Sequence, residues 1–213
     1  MLEDFFSSSP SLKICGVTTL KDAERLAELE VTALGLNFWP PSKRYCSPEH
    51  ASTIASHVAG DILRVGVFVN NARPLAMELM DECLIDIVQL HGDETEEDIH
   101  FFLEQKIPVI KAVSADHLPE YDLPAGHFAL LIDTPAGTDY GGTGKVFDWS
   151  IAQDFAQKHP KVPILLAGGI NPANAAEALA TVHPAALDVA SGAESSPGHK
   201  DFDKVRALLT ALS

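Results

Sequence analysis

Eight short runs rich in valine, isoleucine and leucine recur along the chain, each followed by a polar turn and then a helical pattern. They fall at Leu12–Cys15, Ala33–Phe38, Arg64–Val69, Ile87–His91, Pro108–Val113, Phe128–Asp133, Pro163–Ala167 and Leu187–Ala190. Several are almost continuously apolar rather than alternating, the pattern of strands covered on one face and packed on the other. Strand and helix in strict alternation, with no linker between units, predicts an α/β fold. Eight such units predict a closed parallel (β/α)8 barrel of the TIM type, with an open doubly wound sheet as the fallback. At 213 residues the chain suits one such domain. Residues 1–11, "MLEDFFSSSPS", are expected to be a flexible lead-in, and residues 12–213 the barrel.

The helical stretches carry their own signals. Ala72, Ala76, Leu79, Met80 and Cys83 share one face, with Asn70 or Asn71 available as a cap and Pro74 near the first turn. Val205, Leu208, Leu209 and Leu212 repeat the spacing at the carboxyl end. "DETEED" opens another helix with acidic residues, which its positive end favours.

Charge narrows the partners. A formal net charge of −15 argues against a nucleic-acid backbone or an anionic membrane. Screening beyond about 8 Å still lets local backbone donors hold a small phosphate. The lead-in has no apolar core of the secretory kind, and no uncharged run is long enough to span a membrane. Cys15, Cys46 and Cys83 form no CxxC pair and no zinc spacing, which suits reduced thiols in a cytoplasmic protein.

In a parallel barrel, chemistry gathers where the strands end. Those positions hold Cys15, Arg44, Gln89, His91, Asp133, Gly168, Gly169, Ser191 and Gly192. Cys15 is open to two interpretations, a small packing residue or a thiolate at a strand exit. Asp133 either caps a turn or serves as a general acid. A carboxyl with the ordinary pKa of about 3.9 does so near neutrality only where burial or a nearby anion keeps its proton on. The seventh strand ends in "LLAGGINPANA" and the eighth in "LDVASGAE"; paired glycines there let backbone N–H groups approach an anion, and "NPANA" has the cap and proline expected where a helix begins. A third cluster, "YGGTGKVFDW" with Lys145, precedes them. No clustered His, Asp and Glu set suggests a metal, and no dinucleotide motif is present.

Taken together, "KICGVTTLKDA", "GLNFWPPSKRY", "VGVFVN", "VQLHGDE", "LLIDT", "GGTGKVFDW", "LLAGGINPANA" and "LDVASGAE" resemble the N-(5′-phosphoribosyl)anthranilate isomerases of tryptophan biosynthesis. The likeness runs from Leu12 to the last helix in the family's order. It implies an Amadori rearrangement of an aminoaldose to an aminoketose without a cofactor, on a small phosphosugar substrate, by a monomer or homodimer. It implies Cys15 as general base and Asp133 as general acid. It also implies Arg44 near the anthranilate carboxylate and Gln89, His91 and Asp188 as substrate contacts. Gly168, Gly169, Ser191 and Gly192 would form the phosphate loops.

Other barrels compete. Indole-3-glycerol-phosphate synthase needs a catalytic lysine at a strand end, for which only Lys111 offers itself. The histidine-pathway isomerase carries an aspartate where Cys15 stands. A phosphosugar-binding barrel without turnover, or a redox sensor using Cys15, are rivals of a different class.

Overall fold

The computed structural model describes residues 5, 10–122, 128–134 and 147–213. Eight parallel strands close into a barrel in sequence order: β1 Ser11–Cys15, β2 Ala33–Asn37, β3 Leu63–Phe68, β4 Ile87–Leu90, β5 Val109–Ser114, β6 Ala129–Asp133, β7 Ile164–Leu166 and β8 Ala186–Val189. β8 pairs with β1, Leu12 opposite Leu187 and Ile14 opposite Val189, so no edge is left open. The closed barrel is the first of the two expected architectures.

Seven helices surround it: α1 Leu20–Glu28, α2 Pro48–Val58, α3 Arg73–Asp81, α4 Glu96–Glu104, α5 Trp149–Lys158, α6 Ala175–Val182 and α7 Phe202–Ala211, counted among the described residues. Between β5 and β6 the described residues hold a 3-10 turn, Leu118–Glu120, instead of an expected helix. After β8 a 3-10 turn, Ser191–Ala193, leads into a two-stranded hairpin, β9 Glu194–Ser196 and β10 His199–Lys200.

Two apolar clusters follow from strand alternation. Ile14, Leu34, Leu36, Val88, Leu130, Ile132, Leu166 and Leu187 face outward and pack with helix residues such as Leu26, Ile54, Leu79, Phe102 and Leu208. Ala33, Leu63, Val65, Ile87, Ile110, Leu131, Leu165 and Ala186 fill the interior. Phe5, from the expected lead-in, is fully buried in this inner cluster, and Ser11 already belongs to β1. The remaining lead-in positions before Pro10 lie outside the described residues, as do the glycines of "YGGTGK" and Lys145.

Three local expectations need revising. Ala72, Ala76 and Leu79 are buried on α3 as its spacing predicts, but Cys83 lies past the helix end, exposed, with φ 56°. Asn70 and Asn71 do not cap α3; both adopt positive φ, and Ala72 occupies the N-cap. The asparagines of "NPANA" do not cap α6 with their side chains. The acidic opening of α4 does form, with a capping box between Thr95 and Asp98. Among the described residues no helix is long and apolar enough to cross a membrane.

Candidate active site

Cys15 closes β1 and Asp133 closes β6, so both stand at the carboxyl ends of parallel strands, on one mouth of the barrel. Cys15 is half-buried. Beneath it, two residues back on the same inward face, lies Lys13 with no solvent exposure. Its ammonium donates to Asp188 Oδ1 of β8 at 2.8 Å and lies on the same side of Gly35 as the Cys15 sulfur. A Cβ on Gly35 of β2 would lie 2.9 Å from Cys15 Sγ and 3.2 Å from Lys13 Nζ, so the missing side chain makes room for both. Burial alone would lower the pKa of Lys13. The Asp188 carboxylate and the Cys15 sulfur outweigh it, and the net shift is upward. At Cys15, burial pushes the thiol up, assisted by Asp188 and opposed by Lys13 and Lys200, and burial wins.

Asp133 is held by a short chain of polar groups. Its Oδ1 accepts the Thr134 N–H at 2.7 Å, and its Oδ2 lies 3.4 Å from Nε2 of His91, just after β4. The Gln89 amide reaches His91 Nδ1 at 2.9 Å. When Gln89 donates there, the imidazole proton resides on Nε2 and faces Asp133. Gln89 itself is fully buried, and its Oε1 has no partner among the described residues. It therefore reaches the mouth through His91 and not by direct exposure. Asp188 is also buried, with one carboxylate oxygen committed to Lys13, so its part in the site begins with holding that lysine.

The loops after β7 and β8 come together as the glycine clusters predict. Gly168 has φ 81°, a left-handed conformation that a side chain would strain, and a Cβ there would reach within 3.0 Å of Asp133 Oδ1. The N–H groups of Gly168 and Gly169 have no acceptor among the described residues. The Gly169 carbonyl is clamped at 3.0 Å by the side-chain amides of both Asn171 and Asn174. That is where the asparagines of "NPANA" are used. Gly192, inside the 3-10 turn after β8, lies against the Ile170 carbonyl, where a side chain would collide. The two loops thus pack closely and leave the Gly168 and Gly169 N–H groups free for an anion.

Arg44, in the loop after β2, makes a two-point ion pair with Glu194 at the start of β9. Lys111 is bound to Glu94 Oε2 at 2.7 Å and to the Gly92 carbonyl at 2.6 Å, which fixes the loop behind His91. Its ammonium is thus engaged in structure. Among the described residues no group of three or more His, Cys, Asp or Glu side chains is arranged to hold a metal ion. Sequence reasoning missed Lys13, Glu194 and Lys200. Lys13 had a signal, a lone charge inside the apolar run "SLKIC".

A closed parallel barrel that gathers a thiol, a carboxyl and two glycine-rich loops at its carboxyl mouth has the form of a TIM-barrel enzyme. The sequence profile of N-(5'phosphoribosyl)anthranilate (PRA) isomerase matches residues 12–211. The N-(5'-phosphoribosyl)anthranilate isomerase of Thermotoga neapolitana is 40% identical over 200 residues, covering 93% of this chain and 96% of that one. The crystal structure of phosphoribosyl anthranilate isomerase from Thermotoga maritima superposes with a TM-score of 0.83 at 37% identity, over 95% of this chain and 98% of the other. A crystal structure of a phosphoribosyl anthranilate isomerase in complex with reduced 1-(o-carboxyphenylamino)-1-deoxyribulose 5-phosphate gives a TM-score of 0.78 at 34% identity, over 95% of this chain and 98% of the other. The chain belongs to the N-(5'-phosphoribosyl)anthranilate isomerase family.

Proposed function

We propose that the protein converts N-(5-phosphoribosyl)anthranilate to 1-(2-carboxyphenylamino)-1-deoxyribulose 5-phosphate, the Amadori step of tryptophan biosynthesis, as a cytoplasmic enzyme. The observation that carries this is the juxtaposition of Cys15 and Asp133 on one barrel mouth, in a chain of this family. Asp133, oriented by His91 and Thr134, protonates the ribose ring oxygen; the C1–O bond breaks and the nitrogen lone pair forms a protonated imine. That cation acidifies the hydrogen on C2, which the Cys15 sulfur removes as a proton. The electron pair of the C–H bond moves into an enolamine; a proton then adds to C1 as the enol O–H proton leaves to restore the Asp133 acid, which gives the ketone. C1 is reduced as C2 is oxidised, so electrons balance within the substrate.

The N–H groups of Gly168, Gly169, Ser191 and Gly192 hold the phosphate, and Arg44 takes the anthranilate carboxylate. Gln89 and Asp188 support His91 and Lys13 beneath the substrate. Three unpaired thiols support a reducing compartment. The test is fluorescence. Substrate formed in situ from ribose 5-phosphate and anthranilate should lose its anthranilate emission when enzyme is added. A steady signal with folded protein would overturn the proposal.

A further inference from the structure

Arg44 is held from several sides. Its Nε donates to Glu194 Oε1 at 2.9 Å and its Nη2 to Oε2 at 2.7 Å, a planar two-point pair. Its stem lies over Gly16, where a Cβ would meet Arg44 Cβ and Cγ at 3.1 Å. Glu194 is buried, and its Oε1 also accepts from Lys200 Nζ at 2.8 Å and from the Gly198 N–H at 3.2 Å. Lys200, whose side chain has no exposure, gives a second bond to the Cys15 carbonyl at 2.6 Å. Lys204 fixes the Glu194 carbonyl at 2.6 Å.

The charges of this cluster do not cancel. In its buried part Arg44 and Lys200 supply two positive charges and Glu194 one negative, while Lys204 is partly exposed and lies 4.0 Å from Asp201. The cluster is largely removed from water, where unbalanced charge is costly. Lys200 is sealed, whereas 17% of the Arg44 side chain stays accessible and its Nη1 has no acceptor among the described residues. The surplus therefore faces the mouth at Arg44. The geometry points to Glu194, itself held by Lys200, as the positioning residue that fixes Arg44 to receive a planar carboxylate on the substrate's aryl group. Because Ser191–Ala193 runs directly into Glu194, one segment joins the phosphate loop, the arginine and the backbone of the base. A loose arginine would lose side-chain freedom on binding, and the pair with Glu194 removes that cost beforehand.

This inference rests on the function proposed above. Its test measures binding, so the two fail separately. Reductive amination of ribose 5-phosphate with anthranilate, or with aniline, gives two stable amines that differ by one carboxylate. The wild-type protein should bind the carboxylated amine more tightly by calorimetry. Glu194→Gln should weaken that amine at least about tenfold while changing the phenyl amine by less than about threefold. Glu194→Asp, too short to span both guanidinium nitrogens, should do the same should Glu194→Gln fold poorly. Arg44→Gln should reproduce the selective loss, and the double variant should add little to it. Equal losses for both amines, no loss for either, additive losses in the double variant, or equal wild-type affinity for the two amines would each overturn the inference. Failure of the fluorescence assay with normal carboxylate-selective binding would instead overturn the turnover.

Discussion

Cys15 lies near two buried ammonium groups, yet its thiol is harder to ionise than a free cysteine's, because burial outweighs Lys13 and Lys200. The working form of a base is the deprotonated one. With the thiol pushed above its ordinary value of 9.0, the fraction of thiolate increases as pH rises through and beyond that point. Turnover should therefore climb with pH on a limb set above that of an ordinary thiol. Lys13→Met removes an opposing cation, so that limb should move to still higher pH. Adding Asp188→Asn, which removes the neighbouring anion, should bring part of the shift back. Alkylation of Cys15 by iodoacetamide across pH, in a Cys83→Ser background, reads the same limb without catalysis. An unmoved limb in Lys13→Met would show that the lysine only packs. Cys15→Ala and Asp133→Ala should each lower turnover by about 10²–10⁴-fold with the thermal midpoint little changed.

Among elements, the strands were the most legible because their composition is set by burial on both faces; all eight fall within one or two residues of the expected bounds. Helix starts were harder to locate. Asn70, Asn171 and Asn174 have the chemistry of caps, but other groups claim them: Asn70 Oδ1 accepts from the distant Asp93 N–H, and the other two clamp the Gly169 carbonyl of their own loop. Of the site, Cys15, Asp133 and the paired glycines could be found because barrel topology says where to look. The partner of Arg44 could not, since Glu194 lies 150 residues away and its pairing is set by a hairpin with no local pattern. The loops after β7 and β8 make a prediction at this scale. Gly192→Ala forces a methyl group against the Ile170 carbonyl and displaces the turn, so inhibition by ribose 5-phosphate should weaken at least about tenfold. Competition kinetics measures it, and an unchanged inhibition constant would remove Gly192 from the phosphate site.

For the molecule as a whole, the two ends of the barrel have separate duties. The proposed chemistry occupies the end where Cys15 and Asp133 sit. At the other end begins the inner apolar layer of Ala33, Leu63, Ile87, Ala129 and Ala186, each opening its strand or standing near its start. Phe5 joins that layer with no exposure although it precedes β1 by several residues and lies outside the span matched by the family profile. An aromatic ring of this size, buried among alanine and branched side chains, fills volume that nothing else in the inner cluster supplies. Phe5→Ala should cost about 3–5 kcal/mol of unfolding free energy, with the cost lower where the barrel collapses into the gap. Because the site is at the opposite mouth, its kcat should stay within about twofold of wild type at a temperature where both are folded. Denaturant unfolding and steady-state kinetics on the same preparation separate the outcomes. A large loss of kcat at full foldedness would mean that the interior transmits strain from one mouth to the other, and an unchanged midpoint would mean that the ring adds nothing to the packed interior.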